Sequence, residues 1–197
     1  RLFLDFYTDT TEGIQMDILH ATIWEGRPED PAGRLEKELR AYDLLDSLGI
    51  CYQRIDHEAL PTIEACQDVD TRLNTHVCKN LFLCNTQKTN FYLLMMPGEK
   101  KFQTKLVPRQ LGVARLSFAP EEYLEQLLSL TPGSVSVLGL MNDVGQNVQL
   151  LIDKDLLEEE YIGCHPCINT SSLRLSMEDL TGKYLPAVNH TPIFLSL

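Results

Sequence analysis

Cys78-Lys79-Asn80-Leu81-Phe82-Leu83-Cys84 and Asn90-Phe91-Tyr92-Leu93-Leu94-Met95-Met96 are apolar and aromatic runs separated by the polar turn Asn85-Thr86-Gln87-Lys88-Thr89. Short runs of this kind, bounded by turn formers, read as the two strands of a β-hairpin. Working outward, helical patterns flank it. Leu35, Leu39, Tyr42, Leu45 and Leu48 recur at steps of three or four and predict a helix over 34–48, stopped by Gly49. Residues 50–56 read as a strand, and Pro61 opens a second helix that ends near Asn74. Beyond the hairpin lie a basic loop over 97–108 and a helix within 117–130. That helix has Pro120 near its first turn and Leu124, Leu127 and Leu128 as its buried stripe. Thr131-Pro132-Gly133-Ser134 is a turn. A second hairpin is predicted from 135–141 and 148–152, around Asn142-Asp143-Val144-Gly145. Ser176 with Asp179 starts a last helix running to about Tyr184, and 193–197 closes the chain as a strand. Strands and helices interleave, which gives an α/β (α+β) class: a mixed β-sheet flanked by helices rather than a doubly wound dinucleotide fold.

A chain of 197 residues supports one domain with a substantial core. Its apolar and charged fractions, 44% and 23%, are those of an ordinary globular protein. No apolar run approaches the roughly 20 residues needed to cross a bilayer, so no membrane partner is expected. Residues 1–33 carry no clear pattern before the breakers Pro28, Pro31 and Gly33, and are read as an appended arm. Within it, the lack of pattern over 1–15 gives the expectation of non-native sequence ahead of a start at Met16. Residues 34–197 form the domain proper. Six irregularly spaced cysteines in a chain too large to need staples indicate a reducing, cytoplasmic setting. The net charge of −11 excludes indiscriminate nucleic-acid binding. Yet 72–115 carry eight basic residues against one acid, Glu99, a local net of +7. Such a block is either a phosphate track or charges spread over separate faces.

Two places carry candidate chemistry. Lys79 stands at the mouth of the first hairpin strand beside an apolar run. Its ammonium either stabilises a phosphate or an oxyanion in a partly desolvated pocket, or snorkels to solvent. The second place is Gly163-Cys164-His165-Pro166-Cys167-Ile168-Asn169-Thr170, read as a turn just ahead of a helix. His165, stiffened by Pro166, is a pocket wall or water-positioning ring, or else a buried histidine bonded to backbone. Asn169 contacts substrate or simply holds the turn. Asn142 and Asp143 suit a hairpin turn. Cys164 and Cys167 form one C-x-x-C pair. A thiol–disulfide role requires a lowered thiol pKa, and the preceding Glu158-Glu159-Glu160 opposes that. Zinc requires four ligands, and no second pair is present. The remaining histidines, His20, His57, His76 and His190, are scattered, and phosphate-loop, dinucleotide, zincin and serine-hydrolase patterns are absent.

The "KN-LFL" strand at 79–83 and the "HP-x-x-NT" turn at 165–170 together resemble the free-standing prolyl-tRNA editing domains of the YbaK/ProX family, closest to its ProXp-ala/PrdX branch. The resemblance covers 34–197 and includes Asn90–Met96, Leu116-Ser117-Phe118-Ala119, Thr131-Pro132-Gly133-Ser134-Val135, Leu140-Met141-Asn142-Asp143 and Ser176-Met177-Glu178-Asp179-Leu180, in order. It implies a YbaK-like fold and a trans-editing aminoacyl-tRNA deacylase acting on alanine mischarged to proline tRNA. It further implies no metal and no cofactor, with the tRNA acceptor end and prolyl-tRNA synthetase as partners. Carried over by position, Lys79 and His165 are catalytic, while Asn80, Ser134, Gly139, Asn169 and Thr170 bind substrate. Lys100, Lys101, Lys105 and Arg109 are the tRNA track. Val137 stands where the family often has proline, which leaves pocket size, and hence the choice among alanine, cysteine and serine, open. A binding module without turnover is the other reading of the same pocket.

Overall fold

The computed structural model describes residues 18, 20–60 and 63–197. Most of the start of the expected arm, 1–17, lies outside the described residues, as does Pro61, the expected opener of the second helix. The first hairpin forms: β3 (Lys79–Asn85) pairs antiparallel with β4 (Phe91–Met96), with Lys79 opposite Met96 and Phe82 opposite Leu93. All six residues of β4 are buried, because this strand has partners on both edges and core on both faces. Phe82, Leu93 and Met95 point into the main core, and Leu83, Leu94 and Met96 into a second layer.

Two sheets result. The five-stranded sheet runs β5 (Leu116–Phe118), β3, β4, β6 (Val148–Asp153), β9 (Ile193–Leu195). It is mixed, since β6 is parallel to both β4 and β9. The four-stranded sheet runs β1 (Trp24–Glu25), β2 (Tyr52–Asp56), β8 (Ser171–Ser176), β7 (Tyr161–Cys164), all antiparallel. Among the described residues a single bridge, Val77 with Gly163, joins the two, reinforced by the Gly163 amide to His76 carbonyl and Cys78 amide to Gly163 carbonyl bonds, each 3.0 Å. Glycine is required there: a Cβ on Gly163 would lie 2.9 Å from the Cα of Val77.

Helices α1 (Glu36–Ser47), α2 (Ile63–Leu73), α3 (Leu106–Leu111) and α4 (Glu121–Leu128) flank the sheets. On α1, Ala41, Tyr42 and Leu45 are buried, as the leucine spacing requires. On α4 the buried stripe is Leu124 and Leu128, with Leu127 half-buried against the same core. The basic loop is shorter than expected, because 106–111 turn into α3, ended by Gly112 at φ +67°. Ser176 caps α5 (Met177–Asp179) by accepting from the Asp179 amide at 3.0 Å. A π-helical stretch, Leu180–Tyr184, continues it into α6 (Leu185–Ala187).

Two expectations are corrected. The second hairpin does not form: Val137–Asn142 is a 3₁₀-helix and β6 pairs elsewhere. Ser136 starts that turn by accepting from the Leu138 amide at 3.2 Å, and residues 137–140 are all buried. A short run buried on every side gives no periodicity to separate strand from helix. Also, the His165 turn leads into strand β8, and a helix follows only after Ser176. Among the described residues, no helix is long and apolar enough to cross a membrane.

Candidate active site

A cavity of about 590 Å³ opens where the two sheets meet. Lys79 and Asn80, at the start of β3, enter it from one sheet, while Tyr161, Ile162 and His165 enter from the other. Gly133 and Val135 contribute from the turn after α4, and Pro97, Gly98 and Glu99 from the loop after β4. Lys79 and His165, 86 positions apart in the chain, thus line one recess.

The Lys79 ammonium donates one hydrogen bond, 2.9 Å long, to the carbonyl of Lys100. An ammonium has three protons, so two remain for a ligand. Among the residues lining the cavity Lys79 is the one lysine or arginine, faced by the carboxylates of Asp70, Glu99 and Glu159. Burial raises the Asp70 carboxyl above its usual range, against the Val77 amide that donates to it at 3.0 Å. Asn80 donates to the Cys78 carbonyl at 3.1 Å, while its Oδ1 is buried with no partner among the described residues.

His165 is held on its Nδ1 side, 2.8 Å from the Ser171 carbonyl. Burial lowers its pKa, so the ring is neutral near pH 7. The turn carrying it is anchored by Ser136, whose hydroxyl donates to the His165 carbonyl at 2.6 Å. Asn169 reaches the cavity wall at Gly133, where a Cβ would lie 3.6 Å from its Nδ2. Gly133 itself has φ +85°.

Other expected residues lie apart from the cavity. The Ser134 hydroxyl is spent inside its own turn, donating to the Thr131 carbonyl at 2.9 Å. The close approach that Gly139 allows is to Leu130, not to a ligand. Val137 is wholly buried, and Val135 faces the cavity in its stead. Thr170 is exposed, and its carbonyl accepts from the His57 amide at 3.0 Å. Asp143 is buried and accepts from the Val148 amide at 2.8 Å and from His190 at 3.1 Å, which makes it a loop staple. Lys101, Lys105 and Arg109 are exposed, whereas the Lys100 ammonium is clamped by Asp153 and Asp155 at 2.8 and 2.7 Å. Cys51, Cys78, Cys84, Cys164 and Cys167 are free thiols. Cys164 and Cys167 are buried, and burial pushes the Cys167 thiol up to about 12 and raises the Cys164 thiol well above its ordinary value, which opposes thiolate chemistry.

Comparisons with known proteins bear on the family and the fold. The profile of the aminoacyl-tRNA editing domain matches residues 57–182. The chain belongs to the aminoacyl-tRNA editing domain family. It is 35% identical over 136 residues to the prolyl-tRNA editing protein ProX of Acetoanaerobium sticklandii, covering 69% of this chain and 83% of that one. It is 31% identical over 165 residues to a prolyl-tRNA synthetase associated domain-containing protein of Mus musculus, covering 81% and 96%. A crystal structure described as a candidate trans-editing enzyme for prolyl tRNA synthetase superposes with a TM-score of 0.61 at 14% identity, covering 83% of this chain and 98% of that one, and so shares the fold.

Proposed function

We propose that this editing domain acts in trans on mischarged proline tRNA, hydrolysing the ester that links alanine to its 3′ end. The observation that supports this most is the meeting of Lys79 and His165 in one cavity between the sheets. An aminoacyl ester is an activated acyl group, so a positioned water and a stabilised oxyanion are enough and no covalent nucleophile is demanded. Lys79 is the oxyanion or phosphate partner, using its two uncommitted protons. His165 and Asn169 shape the amino-acid end, and Asn80 offers an acceptor that none of the described residues satisfies. The carboxylates of Asp70, Glu99 and Glu159 suit the α-ammonium of an amino acid. Gly139 and Ser134 support the wall from behind. Rejection of proline by clash, with alanine admitted, is the physical route to selectivity; cysteine and serine are the competing substrates. Prolyl-tRNA synthetase is the natural supplier of the mischarged tRNA, and a reducing cytoplasm accords with the free thiols of Cys51, Cys78, Cys84, Cys164 and Cys167.

The deciding assay is release of alanine from Ala-tRNA(Pro), with Ser- and Cys-tRNA alongside. Lys79→Ala is expected to lower kcat by about 10²-fold or more, the typical worth of one oxyanion donor. Unchanged turnover in that variant would refute the role of the ammonium. Tight tRNA binding with no release by the wild type would make the domain a carrier.

A further inference from the structure

His57 follows β2, beyond the last residue of a strand paired with β8. Its amide continues that ladder by donating to the Thr170 carbonyl at 3.0 Å. Its ring thereby comes to lie edge-on to that of His165, with centroids 6.4 Å apart and planes at 60°. Between the rings sits the hydroxyl of Ser172, a residue of β8 that is 1% exposed. It lies 2.8 Å from Nε2 of His57 and 3.4 Å from Nδ1 of His165.

The partners fix where the protons are. A backbone carbonyl only accepts. Nδ1 of His57 lies 2.7 Å from the Glu58 carbonyl and must carry hydrogen. Nε2 of the neutral ring is then an acceptor, filled by the Ser172 hydroxyl proton. Nδ1 of His165 lies 2.8 Å from the Ser171 carbonyl and must carry hydrogen as well. The oxygen of Ser172, its own proton directed at His57, turns a lone pair toward that same Nδ1–H. Every donor in the set has an acceptor under one proton assignment only, with both rings neutral. Burial, which lowers the pKa of each ring, acts in the same direction.

We infer that His57 and Ser172 are positioning residues that act with the Ser171 carbonyl to hold His165 as its Nδ1–H tautomer, so that Nε2 faces the cavity as a hydrogen-bond acceptor. The reading rests on the cavity being the editing site proposed above, and it divides the labour there. His165 receives a hydrogen bond from water or from a ribose hydroxyl of the bound ester. It cannot donate to the ester carbonyl, so the developing oxyanion falls to Lys79 and to backbone amides. His57 and Ser172 touch no substrate and act only through the ring of His165.

The test reads the tautomer directly. Histidine side-chain nitrogen NMR on the full-length protein without ligand is expected to show a hydrogen-bearing Nδ1 and a bare Nε2 for His165. A hydrogen-bearing Nε2, or averaging between the two forms, overturns the inference. In Ser172→Ala the Ser171 carbonyl is the one acceptor left on Nδ1, so the His165 signals should shift part of the way toward averaging, and kcat should fall on the order of tenfold with KM little changed, a fraction of what a held acid–base group contributes. Ser172→Thr should restore both. The backbone amide spectrum checks that each variant is folded. If alanine release is absent while the tautomer is locked, the editing assignment fails and the relay stands. If release is present and Ser172→Ala leaves both tautomer and kcat unchanged, the relay fails and the editing assignment stands.

Discussion

A methyl group at position 139 would sit 2.6 Å from Cδ1 of Leu130 and 3.3 Å from the carbonyl of Leu128. Leu130 is wholly buried, so it has no free space in which to retreat. Gly139→Ala is therefore expected to cost about 1–3 kcal/mol of overpacking, read as a lower urea midpoint at unchanged m-value. The same variant separates two roles for the glycine. Lost stability with KM unmoved assigns it to packing behind the cavity, while a raised KM assigns it to the wall. Lys79, His165 and Asn169 stood out in the sequence because each is a polar group set beside an apolar run. His57 and Ser172 gave no such signal. One reads as a scattered histidine and the other as a strand serine, and their relation exists only through the β2–β8 pairing. Ser136 was hidden for a similar reason: its partner, the His165 carbonyl, lies 29 positions away.

At the scale of elements, α1 is pinned to the four-stranded sheet by charge as well as by its apolar stripe. Arg34 forks onto Asp56 through Nη1–Oδ1 at 3.0 Å and Nη2–Oδ2 at 2.7 Å, and Nη1 also reaches the buried Glu38 at 2.7 Å. Arg54 grips the same Asp56, and the Ser171 hydroxyl donates to it at 3.0 Å. Burial alone would raise the Asp56 carboxyl, but the bonds from Arg34 and Arg54 override it and bring the pKa down to about 2, from 3.8 in an unstructured chain. A carboxyl whose pKa is lower in the folded state stabilises the fold above its unfolded value and loses that contribution as pH falls. The fold should thus weaken between about pH 4 and pH 2, and Asp56→Asn should flatten that part of a urea-midpoint profile against pH. A slope that survives the substitution would place the acid sensitivity elsewhere. Because Ser171 also supplies the carbonyl under His165, this network and the site rest on one residue. The helix and the first hairpin were legible as periodicity. The 3₁₀-helix at Val137–Asn142 was not, since a run buried on all sides carries no alternation.

Across the whole molecule, the cavity exists because two sheets meet at a single bridge. A Cβ on Gly163 would press on the backbone of Val77, so Gly163→Ala should cost about 1–3 kcal/mol or more and loosen the seam that Val77, Ile162 and Tyr161 form beside Lys79. The mixed sheet flanked by helices follows from the strand and helix patterns, but its junction with a second sheet at a glycine does not, since it depends on a contact between distant residues. Charge behaves alike at this scale. The linear block over 72–115 does not act as a unit. Lys100 is committed to Asp153 and Asp155, and Arg72 donates to the Ala21 carbonyl at 2.9 Å. Lys101, Lys105 and Arg109 remain exposed on the segment that leaves the cavity wall at Glu99. Each phosphate neutralised by a protein cation contributes roughly 0.7–0.9 to the slope of log K against log salt. Replacing these three with alanine should therefore take about 2–3 off that slope for proline tRNA. Lys100→Ala should leave the slope nearly intact and lower stability instead, because it strips the partner from a fully buried Asp153. Equal slope changes from both substitutions would mean that the clamp on Lys100 opens when tRNA binds. An unmoved slope in the triple variant would put the tRNA on another face of this acidic protein.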